Sequence, residues 1–279
     1  MTKLVTGDGR THIASPLMRE SLVDPRVIAK THSEHEFEIM PDVVLVSIGG
    51  QSIFDRGKAA LLPMADELCE ARGRHRMIVG VGGGTRVRHT ISVALDLGLP
   101  TGGVALLVGA MEEANAVLLN ALMAKKRSMV MQREHFWELP LYLESGMLPI
   151  VISIPPYHFW EPPPDGGPLP MHGSDFGLFI VAEVLGMKRV IFVKDVDGIY
   201  DRDPKKHPDA RFIPRLTLEE LYARRPADLC LDWQLVEAWR TARHVERVQV
   251  VNGLERGMLL RALGGEDVGT VITRAGGRP

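Results

Sequence analysis

Downstream of Asp42 the chain alternates short runs of branched apolar residues with stretches of helical periodicity, the runs falling at 43–46, 78–79, 150–152, 190–193, 248–251 and 268–272. Runs this short and this uniformly apolar predict strands buried on both faces. Separated by helical segments, they imply an α/β fold with a mainly parallel central sheet and helices on both faces. The segment 111–121 is apolar on more than one helical face, which predicts a helix shared between the core and a subunit interface. Residues 232–242 also read as a helix, on which Trp233 and Trp239 are packing residues. Upstream, residues 2–41 are polar, carry three histidines with Pro16 and Pro25, and show little periodicity beyond a short helix candidate at 17–22. The expected organisation is an amino-terminal extension, 1–41, acting as an interface arm, and one α/β domain, 42–279.

Composition narrows the class. With 279 residues, 45% hydrophobic and 24% charged, the chain can bury a sizeable core. A formal net charge of -2 lacks the basic excess of phosphate-tracking proteins, so no nucleic acid partner is expected. Cys69 and Cys230 are far apart and belong to no paired motif, which argues against a disulfide scaffold or a thiolate zinc site and fits a reducing compartment. No apolar run approaches ~18 residues, and residues 1–10 lack a signal-peptide core, so the expectation is a cytoplasmic protein with no membrane partner. The 13 methionines read as core or interface filler.

The candidate chemistry lies in four loops. Gly49-Gly50 follows the first predicted strand and Gly82-Gly83-Gly84 the second, and consecutive glycines opening a helix let backbone N–H groups converge on an anion such as phosphate. A third loop, 194–204, sets Lys194, Asp195, Asp197, Gly198, Tyr200, Asp203 and Pro204 at the carboxyl end of a strand, where ligands of open α/β sheets bind. Gly198 tolerates positive φ, and Asp203-Pro204 forces a turn. Lys205-Lys206-His207 reads as a solvated turn, with a lysine in reach of a phosphate as the alternative. The fourth stretch, 155–170, holds seven prolines and must be a rigid non-helical loop.

In chain order, the two glycine loops and the Asp-Val-Asp-Gly-Ile-Tyr-x-x-Asp-Pro loop resemble the amino-acid-kinase superfamily, which includes aspartokinase, acetylglutamate kinase and bacterial uridylate kinase. The resemblance covers nearly everything after Asp42 and extends to 111–121 and 250–272, which are similar to a subunit-core helix and the last helix and strand of uridylate kinases. It implies ATP with Mg²⁺ across the strand ends. Gly49, Gly50, Gly82, Gly83, Gly84 and Arg88 would face phosphates or oxyanion, the 194–204 loop would hold the nucleotide, and Asp175 would orient Mg²⁺-bound water. Two positions depart from the kinase pattern. Ser47 stands where these kinases place a lysine that neutralises the transferred phosphoryl group, and a hydroxyl supplies no such charge. Phe176 stands where uridylate kinases usually have threonine.

Segments 48–57, 85–89, 95–100, 155–160 and 242–254 resemble the subunits of molybdenum storage proteins, uridylate-kinase-like assemblies that use ATP while depositing polynuclear molybdate or tungstate. That resemblance implies a homo- or hetero-oligomer, a hexamer, and an oxyanion held by hydrogen-bond donors, cations and occasional histidine or carboxylate ligands. His158, His135, His172, Arg86 and His89 are the candidate metal or oxyanion contacts, each histidine having an ordinary structural role as its alternative. The function read from sequence is an ATP-binding molybdate or tungstate storage subunit. The alternatives are a uridylate-kinase-like nucleoside-monophosphate or small-acid kinase, and a catalytically silent subunit.

Overall fold

The computed structural model describes residues 4–6, 11–13, 38–153 and 173–274. The helix candidate at 17–22, the proline-rich stretch 155–170, His158 and His172 lie outside them. The chain divides into two units, residues 1–37 and 38–279. In the first, β1 (Leu4–Thr6) pairs antiparallel with β2 (Thr11–Ile13), Leu4 opposite Ile13.

The second unit is a three-layer α/β structure. Its strands are β3 (Val44–Ile48), β4 (Met77–Val81), β5 (Ser128–Met131), β6 (Leu148–Ile152), β7 (Arg189–Lys194), β10 (Arg215–Thr217), β11 (Arg247–Asn252) and β12 (Thr270–Thr273). They form one sheet in the order β10-β12-β11-β7-β3-β4-β6-β5. Neighbours are parallel from β11 through β5, and β12 runs antiparallel to β11 with β10 parallel to it. A short ribbon, β8 (Ile199–Tyr200) against β9 (Phe212–Ile213), stands apart from this sheet.

Each apolar run seen in the sequence overlaps one of these strands, with Val43 just ahead of β3 and Val268-Gly269 just ahead of β12. The two outermost strands, β5 and β10, were not visible as runs: β5 is Ser-Met-Val-Met, and β10 is three residues with one apolar side chain. Both owe their extended form to hydrogen bonding with an already formed neighbour rather than to their own composition.

Alternation along the strands feeds two cores. On one face Leu45, Ile78, Val190, Phe192 and Val250 share a core with α4 (Leu139–Glu144), α5 (Ser174–Val184), α6 (Leu218–Arg224) and α7 (Trp233–Trp239). On the other, Val46, Val79, Ile150, Ile191 and Val193 pack under α1 (Lys58–Ala71), α3 (Thr101–Met123) and α8 (Met258–Leu263). Gly80 admits α5 to the sheet, because a Cβ there would lie 2.4 Å from Leu178 Cδ2. The Glu183 carboxylate accepts the backbone N–H groups of Arg243, His244 and Val245, which gives the 242–254 segment a structural task at the entry to β11.

Helix α3 is longer than the 111–121 segment suggested. Residues 101–126 form a helical stretch long and apolar enough to cross a membrane, by length and composition only. Buried Glu112 and Asn115 interrupt it, and Ala116, Leu119 and Met123 pack in the core, while Val117, Leu118 and Leu122 are exposed.

Trp239 is fully buried, packs at 6.1 Å from Phe179 and donates from Nε1 to Val245 O at 2.7 Å. Trp239→Ala should therefore lower the unfolding free energy by about 3–5 kcal/mol, read as a fall in the urea midpoint.

Candidate functional site

Because β3, β4, β6 and β7 are parallel neighbours, their carboxyl ends open on the same edge of the sheet. The loops that follow them converge there. In the first, Gly49 N–H donates to Val193 O at 3.1 Å, and in the second, Gly82 N–H donates to Ile48 O at 3.0 Å. These two loops touch backbone to backbone: a Cβ on Gly50 would lie 2.1 Å from Gly84 N, and one on Gly82 would lie 2.8 Å from both Gly50 N and Ser174 Oγ. Glycine is thus required at 50 and 82 by loop packing, before any ligand is considered.

Helix α2 (Gly84–Asp96) starts at this contact, and its amino terminus already holds an anion. Asp55 Oδ2 accepts the Thr85 N–H at 2.8 Å and the Thr85 hydroxyl at 2.7 Å. Asn115, buried on α3, donates to Gly82 O at 2.6 Å and accepts from the Arg86 guanidinium.

The 194–204 loop closes the other side. Lys194 and Asp175, 9% and 6% exposed, form a 2.5 Å ion pair between the end of β7 and the first turn of α5. Burial raises the Asp175 carboxyl and works against the Lys194 ammonium, but Asp175 outweighs that and holds the lysine charged. Asp195 is bracketed by Arg56 at 2.5 Å and Lys205 at 2.7 Å; burial raises its pKa, and the two cations more than reverse this, leaving it below the ordinary value. Asp197 accepts from the Tyr200 hydroxyl at 2.9 Å and Asn252 Nδ2 at 2.8 Å. Burial, with Asp197 beside it, pushes the Tyr200 phenol up to about 12. Gly198 has φ 155°, and a Cβ there would lie 2.3 Å from Thr270 Oγ1. Asp203 accepts the Lys205 N–H at 2.9 Å, forming the turn before Lys205.

A cleft of about 1480 Å³ lies among these loops, above the roughly 300–1,000 Å³ of an ordinary small-molecule site. Its lining includes Gly49, Gly50, Gly83, Gly84, Arg88, Asp175, Lys194, Asp195, Gly198, Tyr200, Asp203 and Pro204. Of the nucleotide-site candidates, Gly82 and Asp197 do not line it; they brace residues that do. Ser47 does not reach it either. Its side chain is buried in β3, where Gly80 and Phe192 are its register partners, and its hydroxyl has no hydrogen-bond partner among the described residues. Arg86 and His89 are exposed on α2 outside the lining, Arg86 turned to Asn115. His135 follows β5, exposed, with Nδ1 2.9 Å from Glu138. The described residues contain no group of three or more His, Cys, Asp or Glu side chains placed to hold a metal ion.

Sequence reasoning missed Arg56, Asp55, Asp232 and Glu112, and offered Lys205 only as the alternative to a solvated turn. Lys205 and Arg56 read as surface charges until Asp195 is placed between them. Asp232 accepts the Phe176 N–H at 3.1 Å and so helps fix the start of α5. Glu112 lines the cleft from α3, and its Oε2 accepts both the Ser153 N–H at 3.0 Å and the Ser153 hydroxyl at 2.7 Å. Burial, opposed by those two hydrogen bonds and reinforced by Asp175 and Asp232, pushes it up to about 8. Cys230 also lines the cleft, with burial pushing its thiol up to about 11, so it is a neutral wall residue.

Residues 42–229 match the amino acid kinase family. Across 92% of this chain and 95% of the relative, the sequence is 42% identical to the molybdenum storage protein subunit beta of Azotobacter vinelandii. The chain belongs to the amino acid kinase family, in its molybdenum-storage branch. Uridylate kinases lie further off: that of Methanothermobacter thermautotrophicus is 30% identical over 82% of this chain and 98% of its own length. Among solved structures, the uridylate kinase of Archaeoglobus fulgidus superposes with a TM-score of 0.64 at 21% identity, over 82% of this chain and 99% of its own. The UMP kinase of Bacillus anthracis gives 0.64 at 19% identity, over 84% and 96%. These superpositions establish the amino acid kinase fold.

In this family member Glu112 links proton binding to stability. Its folded pKa of about 8 lies above the ordinary 4.5, so between those values the folded chain keeps a proton that the unfolded chain has released. Stability should fall as pH rises through that window and level off above it, by on the order of 5 kcal/mol at most. Urea unfolding of Glu112→Gln should lack this component, so its advantage over the wild type should grow from acidic pH to pH 8.

Proposed function

We propose that this chain is an ATP-binding molybdate or tungstate storage subunit that holds oxometalate inside an oligomeric cage in the cytoplasm. The observation that carries the reading is the 42% identity to a molybdenum storage subunit, continuous over nearly the whole length of both chains. Burial of Ser47 away from the cleft supports it over ordinary kinase activity, since no cation stands at that strand position to meet a transferred phosphoryl group.

The residues present fit a magnesium nucleotide. Gly50, Gly83 and Gly84 offer a backbone cradle without side chains, and Arg88, Lys194 and Lys205 supply positive charge. Asp175 and Asp195 are oxygen donors of the kind Mg²⁺ takes, and Asp203 with Pro204 and Tyr200 forms the wall for ribose and base. Bound Mg²⁺ would neutralise the phosphates. The chain's own part is to hold Lys194 charged by means of Asp175 and to fix Tyr200 through Asp197.

Exposed Val117, Leu118 and Leu122 on α3 support oligomerisation, with a hexamer as the assembly and residues 1–41 as its interface arm. His89, Arg86 and His135 stand outside the cleft, so any oxyanion contact they make lies outside it.

Protein purified from cells grown with tungstate should carry many tungsten atoms per chain, by elemental analysis, with UMP phosphorylation at background. Rapid UMP phosphorylation with substoichiometric metal would establish the kinase reading instead. Lys205→Ala should raise the Kd for ATP about tenfold in titration calorimetry, a loss of about 1.4 kcal/mol.

A further inference from the structure

The buried carboxyls of the cleft are not equivalent. Asp175 has Lys194, and Asp195 has Arg56 and Lys205, but no lysine, arginine or histidine pairs with Glu112 among the described residues. Glu112 projects from α3, and its Cγ would stand 3.4 Å from a Cβ placed on Gly83, at the second glycine loop. Both hydrogens that Ser153 can offer, from β6's carboxyl end, go to Oε2 alone, which leaves Oε1 as the atom to carry a proton.

The charged groups around it do not supply a counterion. Asp175 on α5 and Asp232 ahead of α7 are both acidic and add to the cost of ionising Glu112. Lys194 on β7 is held by Asp175, and Arg86 on α2 is held by Asn115; Arg88, also on α2, lines the cleft and makes no ion pair with Glu112. A carboxylate in this position would repel an anion in the cleft. A carboxylic acid in the same position offers it a hydrogen bond.

We propose that Glu112 is an oxyanion-binding residue of this cleft, its carboxyl O–H donating from Oε1 to an oxygen of a tetrahedral dianion seated between the Gly83 loop and Arg88. The inference rests on the storage reading and adds to it a cleft residue that binds the oxyanion. Its pKa of about 8 keeps the donor in place at neutral pH. Occupancy is then coupled to one proton: above that value, the affinity for a dianion falls tenfold for each further pH unit.

Tungstate is the probe, because it remains a dianion through neutral and alkaline pH. Titration calorimetry on the full-length protein, from about pH 7 to about pH 9.5, should show the wild-type Kd rising about tenfold per unit beyond pH 8. Glu112→Gln keeps a donor and an oxygen that accepts both Ser153 hydrogens, so its Kd at pH 7 should stay within about threefold and lose the alkaline slope. Glu112→Leu keeps the burial and removes the donor; tungstate affinity at pH 7 should drop about tenfold, with a cooperative urea transition showing that the variant is folded. On the wild type alone, an infrared carboxylic-acid band should titrate near pH 8 and shift to higher pH when tungstate binds. Tungstate binding with no slope in the wild type, or with the same slope in Glu112→Gln, would overturn this inference and leave the storage reading standing. No tungstate binding at any pH, with ATP still bound, would overturn both.

Discussion

The close approach of two backbones, at Gly50 and Gly84, is the constraint on which the site depends. Adjacent parallel strands β3 and β4 deliver their loops side by side, and any Cβ at Gly50 would overlap Gly84 N. With both side chains absent, α2 can begin directly against the first loop, where Asp55 caps it. Ser174 then reaches Gly82 closely enough to bring the start of α5 into the same wall, and with it Asp175. Glycine here serves packing first, and a backbone surface for an anion follows from it.

Around that contact the protein keeps three buried or half-buried carboxyls in different electrostatic states. The Asp175 pKa is raised by burial, with Lys194 locked against it in opposition. Asp195 is ionised because Arg56 and Lys205 flank it. Glu112 has hydrogen-bond donors but no cation, and burial wins. One chemical group thus behaves in three ways within one cleft, according to what stands within hydrogen-bonding distance. The ion pairs also tie loops together: Asp195 joins the turn after the first glycine loop to the turn after Asp203.

Much of the fold was legible along the chain. Central strands such as β3 and β7 are continuous apolar runs because helices cover both their faces, and Gly49-Gly50, Gly82-Gly83-Gly84 and Asp197-Gly198 mark their ends. Edge strands β5 and β10 were not legible, since an edge needs only one partner and little hydrophobicity. Helix α3 was only half legible, because its first ten residues are small as well as apolar. In the site, Lys194, Asp195, Asp197, Gly198 and Tyr200 were readable from their crowding after one strand. Arg56 and Glu112 were not, because each lies far in sequence from the group it answers, Asp195 in one case and Ser153 in the other.

The sequence by itself determined the strands, the glycine positions and the set of groups able to grip a nucleotide, because these depend on local periodicity and on residue type. Only the tertiary structure decided what each group does. It turned Ser47 into the sheet and away from the cleft, drew Arg86 to Asn115, set Lys205 against Asp195, and enclosed Glu112 without a counterion. Those outcomes turn on distance and solvent exclusion between segments that meet only after folding, and charge state follows from both.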